Sequence, residues 1–545
     1  MTGIPFGVRK IMVILIMAMP AILQSAQPLA RSDGDLGVRS QFGDPISCDM
    51  LPGGVFLIWW DVQNDLTEQA AELLDSLAVY RESLLYEFDM MDPPNVRDGF
   101  YFNIYLHEPG DVFPEGWGCG VGTDCYGYPY MTLPIGVLGN WLTVAHETMH
   151  VFGYSGDAPG FTHPDANWYT EAGANWFAAY NYPDHPATFL EAESLVRLPH
   201  VSMWLAYANF PEYYPENWQR YVHQYALANF LYYLTHVRGV PDGLIFEGKY
   251  NPPDGQTQDL LPQEYLYFNI PAGYGGMREI FVDWAAHITN DFDFILESQR
   301  ETAENEWNYC ADPEDDNEFT QVYEDAGSGG WYRPPDSLAT TAWSFNTYKV
   351  LNSGNILYTF QLSGDAYGSE GSPSLFRGKL LVRNSVFGAR FYDLPMIDDT
   401  EGSITLEVTG DDSVLCFIVA SVPDVFTDIE QVYGYEISIE KGPSSVEGAP
   451  HGGAAAYLGP ASPNPFTSST AIGYSLPAAG HVTISVYDLS GRLVAQLVDA
   501  EMPAGRDEVV WGGIDLSGSM LPGGVYTVRL DSRDGTAAEL VTLLR

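Results

Sequence analysis

The hydrophobic positions of this chain change period twice along its length. Residues 55–60 and 99–106 are short apolar runs that predict strands, and between them 66–88 predicts a helix. Apolar residues there fall at 66, 70, 73, 74, 77, 84, 85 and 88, one face of a 3.6-residue period. A short strand is expected at 128–133 and a helix from about 137 to 152, with further helices over 166–181, 217–238 and 277–290. From about residue 336 the pattern turns to short apolar runs between Gly, Ser and Asp turns, at 356–362, 376–383, 404–408, 414–419 and 435–439, which predicts a β-sandwich. Residues 444–461 are rich in Gly, Pro, Ser and Ala and read as a linker. Beyond it, Val482, Ile484 and Val486 alternate with polar residues, and 525–530 alternates likewise, so a second, smaller sandwich is expected over 462–545. No internal repeat is present.

At 545 residues the chain needs more than one hydrophobic core. Its 46% apolar and 14% aromatic content excludes a disordered polymer. Acidic residues outnumber basic ones 72 to 24, for a net charge of -48, and five of the basic residues are lysine. Such a surface repels phosphate backbones and anionic lipid, so nucleic acid is excluded as a partner. Residues 1–30 carry Arg9 and Lys10, an apolar run at 11–23, and the small residues Ser25, Ala26 and Ala30, the pattern of a secretory signal. No later stretch approaches ~20 apolar residues, so the mature chain is expected to be exported, released or surface-attached, with no transmembrane anchor. Of the five cysteines, Cys119 and Cys125 enclose a short loop and form the favoured pair, with Cys48 and Cys310 second. Cys416, in an apolar run, is expected to be a buried thiol. The acidic run 312–318 reads as a solvated turn.

The chemistry concentrates at 141–150, WLTVAHETMH, which ends in His146, Glu147, Thr148, Met149 and His150. A spacing of four sets both imidazoles on one helix face, where they can hold one zinc ion. Glu147 is then placed to take the proton of a zinc-bound water as that water attacks a carbonyl. The bland alternative is a pair of satisfied core histidines. A catalytic zinc needs a third protein ligand, and NWYTEAGANW at 167–176 offers Glu171 as its only ionisable side chain, among aromatic and small neighbours where an unpaired carboxylate is costly. Ala172, Gly173 and Ala174 would allow close approach of the two helices, and Asn175 could orient a ligand histidine. A rival pattern, HExxHxxG, is begun by Gly153, but it wants His or Asp at 156 and finds Gly156; Asp157 is one place late and His163 further off.

HETMH followed by WYTEAGANW resembles the gluzincin class of zinc metallopeptidases, in particular secreted bacterial families with a second helix of the W-x-x-E-[GA]-x-A-x-W type. The order of strands and helices over 55–150 is similar to the upper half of such a catalytic domain. The resemblance implies an α+β zincin-like metallopeptidase domain over 31–335, with His146, His150 and Glu171 on zinc and Glu147 as general base. It also implies an oxyanion donor downstream of Glu171, for which Tyr221, His223 and Tyr225 are candidates and Tyr225 the choice. The strand at 130–133 would pair with an extended peptide. Trp168 and Trp176 read equally as core or subsite. One position departs from that class, which commonly carries Asp where this chain has Asn175; asparagine accepts a hydrogen bond from imidazole but adds no charge.

In the tail, SPNPF at 462–466, VYDLSGRLV at 486–494 and LPGGVYTVRL at 521–530 resemble the Ig-like C-terminal domains related to the flagellar hook-capping fold that recur as sorting tails in type IX secretion. That resemblance implies export through such machinery. The combined expectation is a multidomain chain, an α+β metallopeptidase domain followed by sandwiches at 336–443 and 462–545, acting as a secreted zinc peptidase on peptide or protein. The alternative is a noncatalytic surface protein, adhesive or glycan-binding, with a structural or degenerate metal site.

Overall fold

The run FLIWWD at 56–61 is buried at every position, which suits an interior strand covered on both faces. The computed structural model describes residues 48–543 except 109–117, 125, 154–158, 211–216, 251–259, 315–319, 324–329, 352–355, 385–387, 410–411, 428, 443–455, 463–465, 467–468, 477, 489–490, 504, 517 and 534. The signal region 1–30, Cys125, Gly156, Asp157 and most of the linker, with parts of the acidic run and of SPNPF, therefore lie outside the described residues.

The first sheet contains β1 (Cys48–Gly53), β2 (Phe56–Asp61), β3 (Phe102–His107), β4 (Gly120–Thr123) and β5 (Pro129–Pro134) in the order β1-β2-β3-β5-β4. β2, β3 and β5 run parallel, and β1 and β4 pair antiparallel at the edges. Helix α1 (Thr67–Tyr86) lies between β2 and β3 in sequence and buries Ala70, Leu73, Leu77, Tyr80 and Leu84 in the main core. A short α2 (Pro94–Arg97) precedes β3. Leu57, Trp59, Tyr105 and Tyr130 form a separate cluster. The strand at 130–133 is not free to receive a peptide, because β4 already pairs with it; β4 is the edge.

Helices follow: α3 (Trp141–Gly153), α4 (Asn167–Asn181), α5 (Glu193–Arg197), α6 (Trp218–Ala226), α7 (Ala228–Tyr232), α8 (Leu244–Tyr250), α9 (Pro262–Asn269), α10 (Met277–Thr289) and α11 (Glu297–Trp307). The continuous helix expected over 217–238 is divided. It loosens at Leu227, where ψ is -12°, and after α7 it widens into a π-helical turn at Tyr233–Val237. That break lets α6 pack on α4 and α5 while the π-turn carries the Tyr233 hydroxyl to Asp283, 2.6 Å away.

Two sheets come next, ordered β10-β9-β12-β7-β6 and β11-β8-β13. Their strands are β6 (Thr320–Tyr323), β7 (Ser344–Val350), β8 (Ile356–Gly364), β9 (Phe376–Asn384), β10 (Gly388–Asp393), β11 (Glu401–Val408), β12 (Asp412–Ser421) and β13 (Tyr435–Lys441). β12 is buried along almost its whole length because α10 packs on the sheet that contains it, so the alternation of a half-exposed strand is lost. Trp343 is fully buried where the helices meet this sandwich. Its ring lies within 6.0 Å of those of Trp204, Tyr267, Phe281 and Phe426, and its indole N–H donates to the Val425 carbonyl at 3.2 Å. Backbone bonds Met203 N–H to Trp343 O and Phe345 N–H to Pro199 O stitch the same seam. Trp343 sits in the left-handed region (φ 56°), a strain that this packing outweighs. Lys379 adds a buried clamp, with Nζ 2.6 Å from Asp283 of α10. One core therefore runs across residue 335, which marks a change of secondary structure and not a gap in packing.

The last unit has its own core around Trp511, Tyr526, Ile484 and Val528. It comprises β14 (Tyr457–Ser462), β15 (Thr470–Leu476), β16 (Gly480–Tyr487), β17 (Leu493–Met502), β18 (Gly505–Trp511), β19 (Gly524–Ser532) and β20 (Gly535–Leu543), in sheets β14-β15-β18 and β17-β16-β19-β20. The protein is thus multidomain, an α/β N-terminal region followed by all-β sheets. Among the described residues no helix is long and apolar enough to cross a membrane. Cys48 and Cys310 do not bond to each other: Cys48 packs beside the Trp59 cluster, and the Cys310 thiol donates to the Asp312 carbonyl. Cys416 is fully buried on β12, and burial pushes its thiol up to about 12.

Trp343→Ala is expected to cost about 3–5 kcal/mol, the range for emptying a large buried aromatic site. Calorimetry should resolve two transitions, with only the one carrying the helices and middle sheets moving down; a shift of both, or of neither, contradicts the shared core.

Candidate metal centre

Gly139 (φ 88°) turns the chain into α3, and Asn140 caps it, accepting from the Thr143 N–H at 3.4 Å. Residues 144–152 of this helix are all buried, so its polar side chains are desolvated together. α4 is buried nearly all round, and its aromatic handles are each satisfied: Trp168 N–H donates to Gln263, Trp176 N–H to Thr235, and Tyr169 O–H to the Ile245 carbonyl. Trp168 and Trp176 are therefore core residues. Gly173 faces Phe246 of α8, where an added Cβ would meet the ring at 3.4 Å, so its smallness serves that contact and not the approach to α3.

The two helices bring three donors to one point. His146 Nε2 and His150 Nε2 are 2.9 Å apart, and each is 3.3 Å from Glu171 Oε2. All three residues are buried, and among the described residues they are the one group of His, Cys, Asp and Glu whose ligand atoms converge in this way. A tetrahedral ion with bonds of about 2.0–2.1 Å needs ligand atoms about 3.3 Å apart, which these separations approach. Glu171 Oε2 is buried, and burial alone would raise its carboxyl; the adjacent His150 and His146 rings, 3.3 Å away, outweigh that and hold it well below the usual range. Either protons or a cation must occupy the triangle, and a set of two imidazoles and one carboxylate fits a divalent cation such as zinc.

His146 is oriented from behind. Its Nδ1 lies 2.7 Å from Asn175 Oδ1, an acceptor, which puts the ring proton on Nδ1 and leaves the Nε2 lone pair for the centre. Asn175 Nδ2 in turn approaches Glu191 Oε2 and the Tyr225 carbonyl, each at 3.5 Å. Glu191, in a short 3-10 turn, stands behind Asn175 with its carboxyl raised by burial, and the sequence reading missed it.

Glu147 points both carboxylate oxygens into the interior without a hydrogen-bond partner. Burial raises its carboxyl from 4.5 to about 7; the His146 charge opposes that rise and Glu171 adds to it. Tyr225 stacks on His146 with ring centroids 6.0 Å apart, and burial followed by the charge of Glu171 keeps its hydroxyl protonated. Tyr221, one turn earlier and half-buried, also feels Glu171 and is pushed up to about 12, by burial first. His223 faces away: its Nδ1 pairs with Ser194 Oγ, its Nε2 with the Ser202 carbonyl, and burial lowers it to about 4. His163 is exposed and caps the turn before α4 through the Asp165 N–H, so it takes no part in the centre.

Comparison with known proteins bears on the other end of the chain. No curated protein matches. Among solved structures, PorZ of Porphyromonas gingivalis, described as an essential bacterial surface component of the type-IX secretion system, is 20% identical over 20% of this chain and 14% of its own, with a TM-score of 0.13. Latent dimeric PorU from the same organism is 14% identical over 39% of this chain and 20% of its own (TM-score 0.17). The CBM22 tandem of Paenibacillus barcinonensis Xyn10C is 11% identical over 38% and 87% (TM-score 0.15). Scores this low do not establish a shared fold. Residues 464–536 match the FlgD Ig-like domain family, so the chain carries a FlgD Ig-like domain in its last all-β unit.

Proposed function

We propose that this protein is an exported zinc-dependent metallopeptidase of the gluzincin kind, with a zincin-like N-terminal region. The observation that carries the reading is the triangle of His146 Nε2, His150 Nε2 and Glu171 Oε2 beside a buried Glu147 whose two oxygens have no other task. His146, His150 and Glu171 would hold the ion, and zinc bound there supplies Lewis acidity for attack on a carbonyl at neutral pH. Glu147 accepts the proton of the attacking water and returns it to the departing amine nitrogen, the work of a carboxylate poised near neutrality. Tyr225 stays protonated and donates toward the developing oxyanion; Tyr221 offers a second, more open hydroxyl on the same helix. Asn175, backed by Glu191, holds the His146 ring. Peptide or protein is the proposed substrate. The N-terminal apolar segment and the FlgD Ig-like domain support passage through type IX-like machinery to the cell surface or beyond.

Two measurements test this. Glu147→Gln should retain one zinc per chain by elemental analysis while hydrolysis of a proteome-derived peptide library falls by about 10²–10⁴-fold. If neither wild type nor variant cleaves any peptide while both retain zinc, the site is structural and the reading fails. The pH dependence of kcat/KM should show an acid limb at or below pH 7, because Glu147 works ionised, burial raises its carboxyl to about 7 and a neighbouring cation pulls it down. A profile flat from pH 5 to 8 removes Glu147 from the role of base.

A further inference from the structure

A pocket lies in the middle sandwich, on elements that contribute nothing to the candidate metal centre. Its volume is about 200 Å³, and Arg333, Asp336, Asp365, Tyr367, Gly434 and Tyr435 are among its walls. At ~30 Å³ per liquid water that is room for about seven waters, the bulk of one sugar ring with its hydroxyls.

The walls are built and rigid. Arg333 forks onto both oxygens of Asp365, at 3.0 and 2.8 Å, and its Nε reaches Glu436 at 3.3 Å. The pair is nonetheless about half exposed, so polar edges of both partners face the opening. Hydrogen bonds from Arg333 hold the Asp365 carboxyl below its usual range, so it is ionised at neutral pH. Position 434 must be glycine for this arrangement, since a Cβ there would fall 2.2 Å from Asp365 Oδ2. Tyr435 closes the floor, its hydroxyl already engaged with Asn346 and Tyr348.

Tyr367 is the informative residue. It is 63% exposed, on a loop fixed from beneath by buried Gln431, whose side-chain carbonyl accepts from the Glu370 and Ser372 N–H groups and whose amide donates to Ser372 Oγ. Ser369 and Val432 exchange two further bonds, Ser369 N–H to the Val432 carbonyl and Val432 N–H to Ser369 Oγ. Folding gains little from an aromatic ring left in water, whereas a ring carried on a loop whose backbone is fixed offers a ligand a surface to stack on.

We propose that this pocket binds a neutral carbohydrate, one sugar ring stacking on Tyr367 while its vicinal hydroxyls bridge Arg333 and Asp365. An apolar face bordered by hydroxyls is the chemistry that an aromatic plane beside a planar donor–acceptor pair recognises. Anionic ligands are disfavoured, because the one guanidinium is surrounded by the carboxylates of Asp365, Glu436 and Asp336. The site is independent of the metal centre and of the peptidase reading.

Affinity gel electrophoresis of the full chain tests it, with laminarin, xylan, galactomannan and pullulan as neutral probes and alginate and heparin as anionic ones. At least one neutral polysaccharide should retard the protein, the anionic pair should not, and Tyr367→Ala should weaken binding tenfold or more with an unchanged melting temperature. Asp365→Asn, at an exposed pair that adds little to stability, should weaken the same interaction. Glu147→Gln should bind like wild type. No retardation by any neutral probe, retardation by the anionic probes alone, or full binding by Tyr367→Ala would overturn the proposal.

Discussion

The arrangement of the N-terminal region turns on one electrostatic constraint: two imidazole nitrogens and a carboxylate oxygen are held within about a bond's reach of a common point, out of water. Each group alone would be expensive there, and Glu147 beside them has no partner either. A buried set of this kind is stable only when positive charge sits among the donors. Protons can supply it by charging the histidines, and a divalent cation can supply it while leaving Glu147 free to act. In the function proposed above, the cation is what both carboxylates serve, Glu171 as a ligand and Glu147 as the base.

What surrounds the triangle keeps it from relaxing. α3 and α4 pack directly, α6 lays Tyr225 against the His146 ring, and the Asn175 to Glu191 contact closes the far side. Behind Asn175, one hydrogen bond further from the imidazole, stands the carboxyl group of Glu191, which burial raises.

The sequence made legible whatever depended on local period. WLTVAHETMH and NWYTEAGANW are helical patterns with an ionisable set at fixed offsets, so His146, Glu147, His150 and Glu171 could be named from spacing before any contact was known. Glu191 could not, because it lies in a three-residue turn with no periodicity around it. β4 escaped for the same reason: GVGT carries no apolar alternation, and only its pairing with β5 makes it the edge. The division of 217–238 was hidden because nothing in the sequence breaks a helix there; the departure from regular winding answers tertiary contacts of Asn229 and Tyr233. Periodicity also reports which faces are apolar and not what they face. The run at 414–419 reads as a sandwich strand, and its burial on both sides follows from α10, more than a hundred residues earlier.

That shared burial changes what the middle sheets can be. A spacer joined by a linker moves freely and transmits nothing, yet Trp343, Phe345 and Phe426 are inserted among the aromatic residues of the helices, and Lys379 reaches Asp283 across the seam. Loosening either side exposes the other, so the helices that carry α3 and α4 are braced by a sheet that touches no ligand. The last unit, with a core of its own, is under no such obligation. Its packing is separate from that around the triangle, whereas the middle sheets share one core with the helices that carry α3 and α4.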